Sequence, residues 1–207
     1  MRPLESQEIR DLRELYDRRG QLVRMLAAEK NQRHSATAAQ SSPRVLRSID
    51  KHIDYLEGQI RDLEGRMDRI IEGSAAFRSR DEILQTITGI GPQVSRTLLA
   101  YLPELGRYSR QTIAALVGLA PFNDDSGTHT GPRHIRGGRS KVRVGLYQAA
   151  VAAIRHCPHM KAFYAALKGR GKASRLALIA VARKLLVLAN ALIRDMVPYR
   201  APANSVC

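Results

Sequence analysis

The chain has 207 residues, 44% of them hydrophobic, with no Trp, three Phe, two Cys and a formal net charge of +15. That length allows one or two domains with a real core. The scarcity of aromatic residues argues against base-stacking platforms of the single-strand-binding kind, and Cys157 and Cys207 have neither metal-ligand spacing nor the makings of a disulfide framework, so a reducing cytoplasm fits.

In chain order, no signal peptide is expected, because Arg2, Glu5 and Glu8 interrupt any apolar run. Residues 4–33 read as a helix, with Ile9, Leu12, Tyr16, Val23 and Leu26 on one stripe and Arg19 breaking it once. Residues 34–43 are small and polar and end in Pro43, which reads as a linker. Leu46, Ile49, Ile53, Leu56, Ile60, Leu63, Met67 and Ile70 then alternate steps of three and four, the seam of a coiled coil. A short loop between two such helices predicts an antiparallel hairpin over residues 1–74. One seam cannot stay exposed, so the hairpin closes on itself, on a second copy, or both; the long stripe favours a homo-oligomer through residues 4–72.

From Arg78 onward Gly and Pro punctuate short helices, and residues 78–199 read as one compact, mainly α domain with a short tail at 200–207. Asp81 is the expected N-cap of a helix from Glu82 to Thr88. Ser109 is expected to cap a helix ending at Gly118, and residues 119–139 to form a loop. Ser140 is expected to cap a helix to about His156, followed by a short helix from Met160 to Leu167 and a long one from Ala173 to Met196. No strand pattern is convincing. The most apolar stretch, Leu176 to Ile193, carries Arg183 and Lys184 at its middle, which argues against a membrane span.

Charge is distributed unevenly. Residues 126–207 hold 15 basic residues and one acidic one, whereas residues 1–125 hold 19 and 18, and no Asp or Glu occurs between Ser126 and Arg194. Lysines and arginines brought against phosphates release condensed counterions, so nucleic acid is the expected partner.

Two motifs refine this. The pattern Leu84-x-x-Ile87-x-Gly89-Ile90-Gly91-x-x-x-Ser95-x-x-Leu98-Leu99 resembles a helix-hairpin-helix at 81–103. There Gly89 and Gly91 would let the backbone approach a phosphate, the next helix would start at Pro92 with its dipole favouring an anion, and Arg96 would add a charge. A packed hairpin that contacts no DNA is the bland alternative. The second motif is Gly118-Leu-Ala-Pro121, then Ser126-Gly127, followed by Arg133, Arg136, Gly137, Gly138, Arg139, Lys141 and Arg143. Taken singly, these are turn residues and a flexible basic loop.

Together with Ala162-Phe-Tyr164, Gly171-Lys172 and Ala180-x-x-Arg183-Lys184-Leu185-Leu186, they resemble the C-terminal transposase domain of the insertion-sequence 110/116/902 family, which includes the pilin-gene invertases. The upstream arm, with Arg18-Arg19, Leu22-Val23 and Glu29-Lys30-Asn31, resembles that family's connector. The resemblance implies a transposase or site-specific recombinase in which Ser126 is the nucleophile that attacks a DNA phosphodiester. A hydroxyl needs activation by a base or a metal, and the transition state needs cations around the phosphoryl oxygens. Arg133, Arg136, Arg139, Lys141 and Arg143 stand near in sequence, while His129 and His134 are weak candidates for moving a proton. The family's Mg²⁺ is held by an acidic tetrad on an N-terminal RuvC-like domain, which this sequence is not expected to contain, and Asp124 and Asp125 look like turn residues. Family members also use an element-encoded guide RNA, of which the sequence carries no sign. Two other readings stay open: an inactive nucleic-acid-binding fragment that regulates full-length transposase through mixed oligomers, and a ribosome-associated protein.

Overall fold

The computed structural model describes residues 6–120, the backbone of 125–126 and 129–130, and residues 137–200. It divides into two compact units, Met1–Ser74 and Ala75–Cys207, and its described residues are almost all helical.

The first unit is two long helices, α1 (Gln7–Ala38) and α2 (Pro43–Gly73). Ser6 caps α1 by accepting from the Ile9 amide at 3.4 Å, and Ser42 caps α2 in the same way at Val45, with Pro43 in the first turn. They run in opposite directions: Arg19 pairs with Glu64 at 2.6 Å and Arg33 with Asp50 at 2.6 Å. The expected linker at 34–43 shrinks to residues 39–42. Helix α1 continues through the small polar residues because Ala36 is buried and the Thr37 hydroxyl donates to the Arg33 carbonyl; packing outweighs modest intrinsic preference.

The α1 stripe also differs from its expected course. Leu22 is buried and Val23 is exposed, so the inward-facing positions are Leu12, Leu15, Arg19, Leu22, Leu26, Glu29, Arg33 and Ala36. Arg19 does not break the stripe: it belongs to it and meets a carboxylate. Glu29 meets the His52 ring, 3.3 Å away. On α2, Ile49, Leu56, Ile60 and Met67 are buried on the predicted seam, and Ile71 joins them. Leu22, Leu56 and Ile60, flanked by Leu26 and Leu63, form the centre of this small core.

The second unit contains α3 (Ala75–Gln85), α4 (Pro92–Tyr101), α5 (Arg110–Val117), α6 (Ser140–His156), α7 (Pro158–Gly169) and α8 (Ser174–Asp195). Two two-residue strands, β1 (Asp125–Ser126) and β2 (His129–Thr130), pair antiparallel with Ser126 opposite His129; no sequence pattern announced them. Helix α8 packs against α3, α5, α6 and α7. Its Val181, Ala182, Leu185, Leu186 and Ala189 are wholly buried, and with Leu84, Ile113, Val142 and Leu146 they make the core. Among the described residues α8 alone is long and apolar enough to cross a membrane; in this fold one face of it, including Val181, Leu185 and Ala189, is buried against the surrounding helices, while Leu176 stays exposed.

Three helix starts depart from expectation. Helix α3 begins at Ala75, so Asp81 is internal and not an N-cap. Its carboxylate instead accepts from the Ser95 hydroxyl at 2.5 Å and the Gln85 amide at 2.7 Å, linking α3 to α4. The N-cap of α6 is Arg139, with Ser140 as the first helical residue. Helix α7 begins at Pro158, where its missing N–H costs nothing. Helix α5 is capped by Ser109, which accepts from the Thr112 amide at 3.2 Å, and ends at Gly118 in the left-handed conformation.

Candidate nucleic-acid interface

Between α3 and α4 the chain turns through residues 86–91, closed by the Ile90 amide donating to the Ile87 carbonyl at 2.8 Å. Gly89 has φ +99, and a Cβ there would lie 2.5 Å from the Ala149 carbonyl oxygen and 3.0 Å from the Ala153 Cβ. The close approach this glycine permits is therefore to α6 of its own unit. Gly91 is different: its φ is −92, it caps α4 in an extended conformation, and nothing lies within 4 Å of its Cβ position. It leaves the start of α4 open, with Pro92 exposed. Arg96 is only 7% exposed, a position inside the fold rather than on its surface. The turn also receives the C-terminal segment, where the Tyr199 amide donates to the Thr86 hydroxyl at 2.8 Å.

The Ser126 side chain, Arg133, Arg136 and His134 lie outside the described residues, as does the side chain of His129. What the structure does describe is the base from which that segment leaves and to which it returns. Arg139 forks onto Glu104, one nitrogen to each carboxylate oxygen at 2.5 Å, and also donates to the Tyr101 carbonyl at 2.8 Å. Arg143 donates to the Val117 carbonyl at 3.2 Å and the Gly137 carbonyl at 2.6 Å. Lys141 sits 4.6 Å above the Tyr101 ring and 3.0 Å from its hydroxyl, a cation–π arrangement at an exposed site. Of the five loop cations that the sequence singles out, two are thus engaged with backbone carbonyls, one of these with a carboxylate as well, and one rests on a tyrosine.

Sequence reasoning missed Glu104, although it is the one carboxylate between Glu82 and Asp124. A lone acid in so basic a stretch is a signal that a cation has to meet it. Asn190 was missed too. Buried in α8, it accepts from the Gly106 amide and donates to the Tyr108 carbonyl, both at 2.9 Å, which holds residues 102–109 against the core. Neighbouring Arg107 and partial burial both depress the Arg80 pKa, burial the more strongly; two guanidiniums there concentrate positive charge.

Among the described residues no group of three or more His, Cys, Asp or Glu side chains could hold a metal ion.

The chain belongs to the Transposase IS116/IS110/IS902 family, whose sequence profile matches residues 81–165. It is 27% identical over 154 residues to the pilin gene-inverting protein of Moraxella lacunata, an alignment covering 72% of this chain and 48% of that protein. It is 26% identical over 164 residues to the 43.6 kDa protein of insertion element IS110 from Streptomyces coelicolor, covering 77% and 40%. It is also 30% identical over 131 residues to the 44.8 kDa protein of insertion element IS116 from Streptomyces clavuligerus, covering 62% and 33%. The chain thus spans about half the length, or less, of these curated relatives.

Proposed function

We propose that this chain supplies the DNA-contacting, nucleophile-bearing part of a transposase or DNA-inverting recombinase. The observation that carries this reading is the family match over residues 81–165, which encloses Ser126 and the start of the acid-free run. On this reading the Ser126 hydroxyl attacks a DNA phosphodiester, the phosphorus–oxygen bond to the leaving strand breaks, and that strand departs with its terminal hydroxyl while the other is held as a serine ester. Arg133 and Arg136 neutralise the charge that builds on the phosphoryl oxygens, and Lys141, exposed at the loop base, adds to the surrounding field. The open start of α4 at Gly91 takes a backbone phosphate as a helix-hairpin-helix would. The family's Mg²⁺ is held by carboxylates outside this chain, the two-helix arm joins copies into a homo-oligomer, and a guide RNA shares the basic surface.

The test is to mix the chain with branched DNA and Mg²⁺, with and without a full-length relative, and to look for covalent protein–DNA adduct under denaturing conditions. Adduct on this chain is expected only when the relative is present, and is expected to vanish in Ser126→Ala. Adduct that survives this substitution removes Ser126 as nucleophile, and failure to bind DNA at all sinks the whole reading.

A further inference from the structure

We infer that Arg139, Glu104 and Arg143 form a latch that holds both ends of the 119–137 segment together, and that Arg139 and Arg143 act as positioning residues rather than as phosphate contacts. The inference rests on the proposed function in so far as that segment carries the reacting serine.

Both ends meet at the C-terminus of α5. Outgoing Gly118 and returning Gly138 touch backbone to backbone. A Cβ on Gly138 would lie 2.5 Å from the Gly118 amide nitrogen, 2.6 Å from the Val117 carbonyl carbon and 2.8 Å from the Leu116 oxygen. A Cβ on Gly118 would lie 2.5 Å from the Gly137 oxygen and 2.5 Å from an Arg143 nitrogen. All three glycines have positive φ: +77 at Gly118, +68 at Gly137 and +65 at Gly138. No other residue type meets both conditions at Gly118 and Gly138. The Arg139 amide adds a bond to the Leu116 carbonyl at 3.3 Å.

The arginines then pin this crossing. Arg143 bridges the two ends directly, with one nitrogen reaching Val117 on the outgoing side and Gly137 on the returning one. The carbonyl of Val117 belongs to the last turn of a helix, where the dipole favours a cation. Arg139 ties the returning end to residues 101–104 through its two-pronged contact with Glu104 and its bond to Tyr101. Planar two-point pairing of this kind fixes orientation as well as distance, and lysine cannot reproduce it. Arg139 and Glu104 are each largely covered, at 22% and 23% side-chain exposure, so removing one leaves the other poorly compensated.

The latch and a phosphate-contact role predict opposite results for Glu104→Gln. If Arg139 bound phosphate, neutralising Glu104 would release its guanidinium and tighten DNA binding. If Arg139 is half of a latch, Glu104→Gln, Arg139→Gln and Arg139→Lys all weaken the crossing at Gly118 and Gly138 alike. Two readouts on the full chain separate these outcomes: the rate of tryptic cleavage at Arg133 and Arg136 in the native state, and affinity for a duplex DNA across a salt series. We expect cleavage to accelerate at least tenfold in all three variants, and affinity to fall by a similar factor in each. The exchanged pair Glu104→Arg with Arg139→Glu should recover the parent's cleavage rate. Thermal unfolding followed by circular dichroism checks that each variant is folded, and Arg139→Lys serves where Arg139→Gln is not. Tighter DNA binding in Glu104→Gln, or unchanged cleavage in a folded Arg139→Lys, overturns the latch. A chain that binds no DNA but shows the cleavage pattern keeps the latch and fails the proposed function instead.

Discussion

At the scale of single residues, Gly89 and Gly91 look equivalent in sequence and do different things. Gly89 needs both its positive φ and its missing Cβ, because α6 passes over it. Gly89→Ala is therefore expected to cost about 2–4 kcal/mol, combining backbone strain and overpacking, read as a fall in the denaturant midpoint. Gly91→Ala, at an ordinary φ with open space around it, should change stability by less than about 1 kcal/mol, because Gly and Ala differ modestly at an N-cap. If Gly91 faces a phosphate, as proposed, that substitution should instead weaken DNA binding, so the two glycines separate in two assays. Asn190→Ala leaves the Gly106 amide and the Tyr108 carbonyl without their buried partner. An expected loss of about 1–3 kcal/mol follows from orphaning such groups, measured by chemical denaturation; a change within error would mean that residues 102–109 are held by packing alone.

At the scale of elements, the arm shows how much of a helix pair is written in its period. The α2 seam was legible because its apolar residues repeat without interruption. The α1 seam was not, because three of its inward positions are Arg19, Glu29 and Arg33, and a periodicity of apolar residues cannot see a charge that is paired across the interface. Leu56→Ala should cost about 2–5 kcal/mol through the cavity it leaves, seen as lost helicity at a lower temperature. The arm also has an acid-sensitive contact. The Lys30 ammonium, through its hydrogen bond and its charge, holds the partly exposed Glu57 carboxyl below its ordinary 4.5. A carboxyl with a depressed folded-state pKa contributes stability that is present above its unfolded value and lost as pH falls through the folded one. Glu57→Gln should thus differ from the parent most above pH 4.5, the small difference should fade as pH falls through the lowered folded value, and it should shrink in high salt. Helix starts in the second unit were misread for a related reason: Asp81 has the chemistry of a cap, and only the position of Ser95 on the next helix shows that it is spent on a cross-link.

At the scale of the whole chain, charge and core lead to separate expectations. The basic excess beyond Ser126 predicts DNA affinity that falls steeply with salt, by a slope of roughly 0.9 in log–log terms for each phosphate neutralised. Lys141→Gln should lower that slope by about one if its ammonium faces the duplex, whereas Arg143→Gln should weaken binding at every salt concentration with its slope unchanged. The proposed homo-oligomer is tested by light scattering on the full chain. Met25 and Tyr55 are large apolar groups left exposed on the two-helix arm, so Met25→Glu with Tyr55→Glu should lower the mass to that of one chain. A mass already equal to one chain in the parent removes the oligomer.

The sequence by itself determined the helical class, the two-helix arm, the buried face of α2, the caps at Ser109 and Gly118 and the family, because periodicity, capping chemistry and short motifs are local along the chain. Tertiary structure alone decided which cations are spoken for. A guanidinium aimed at a phosphate and one aimed at a carboxylate 35 residues away are the same letter in sequence. Only the fold brings Glu104 to Arg139 and Val117 to Arg143, because those contacts join residues that are distant along the chain.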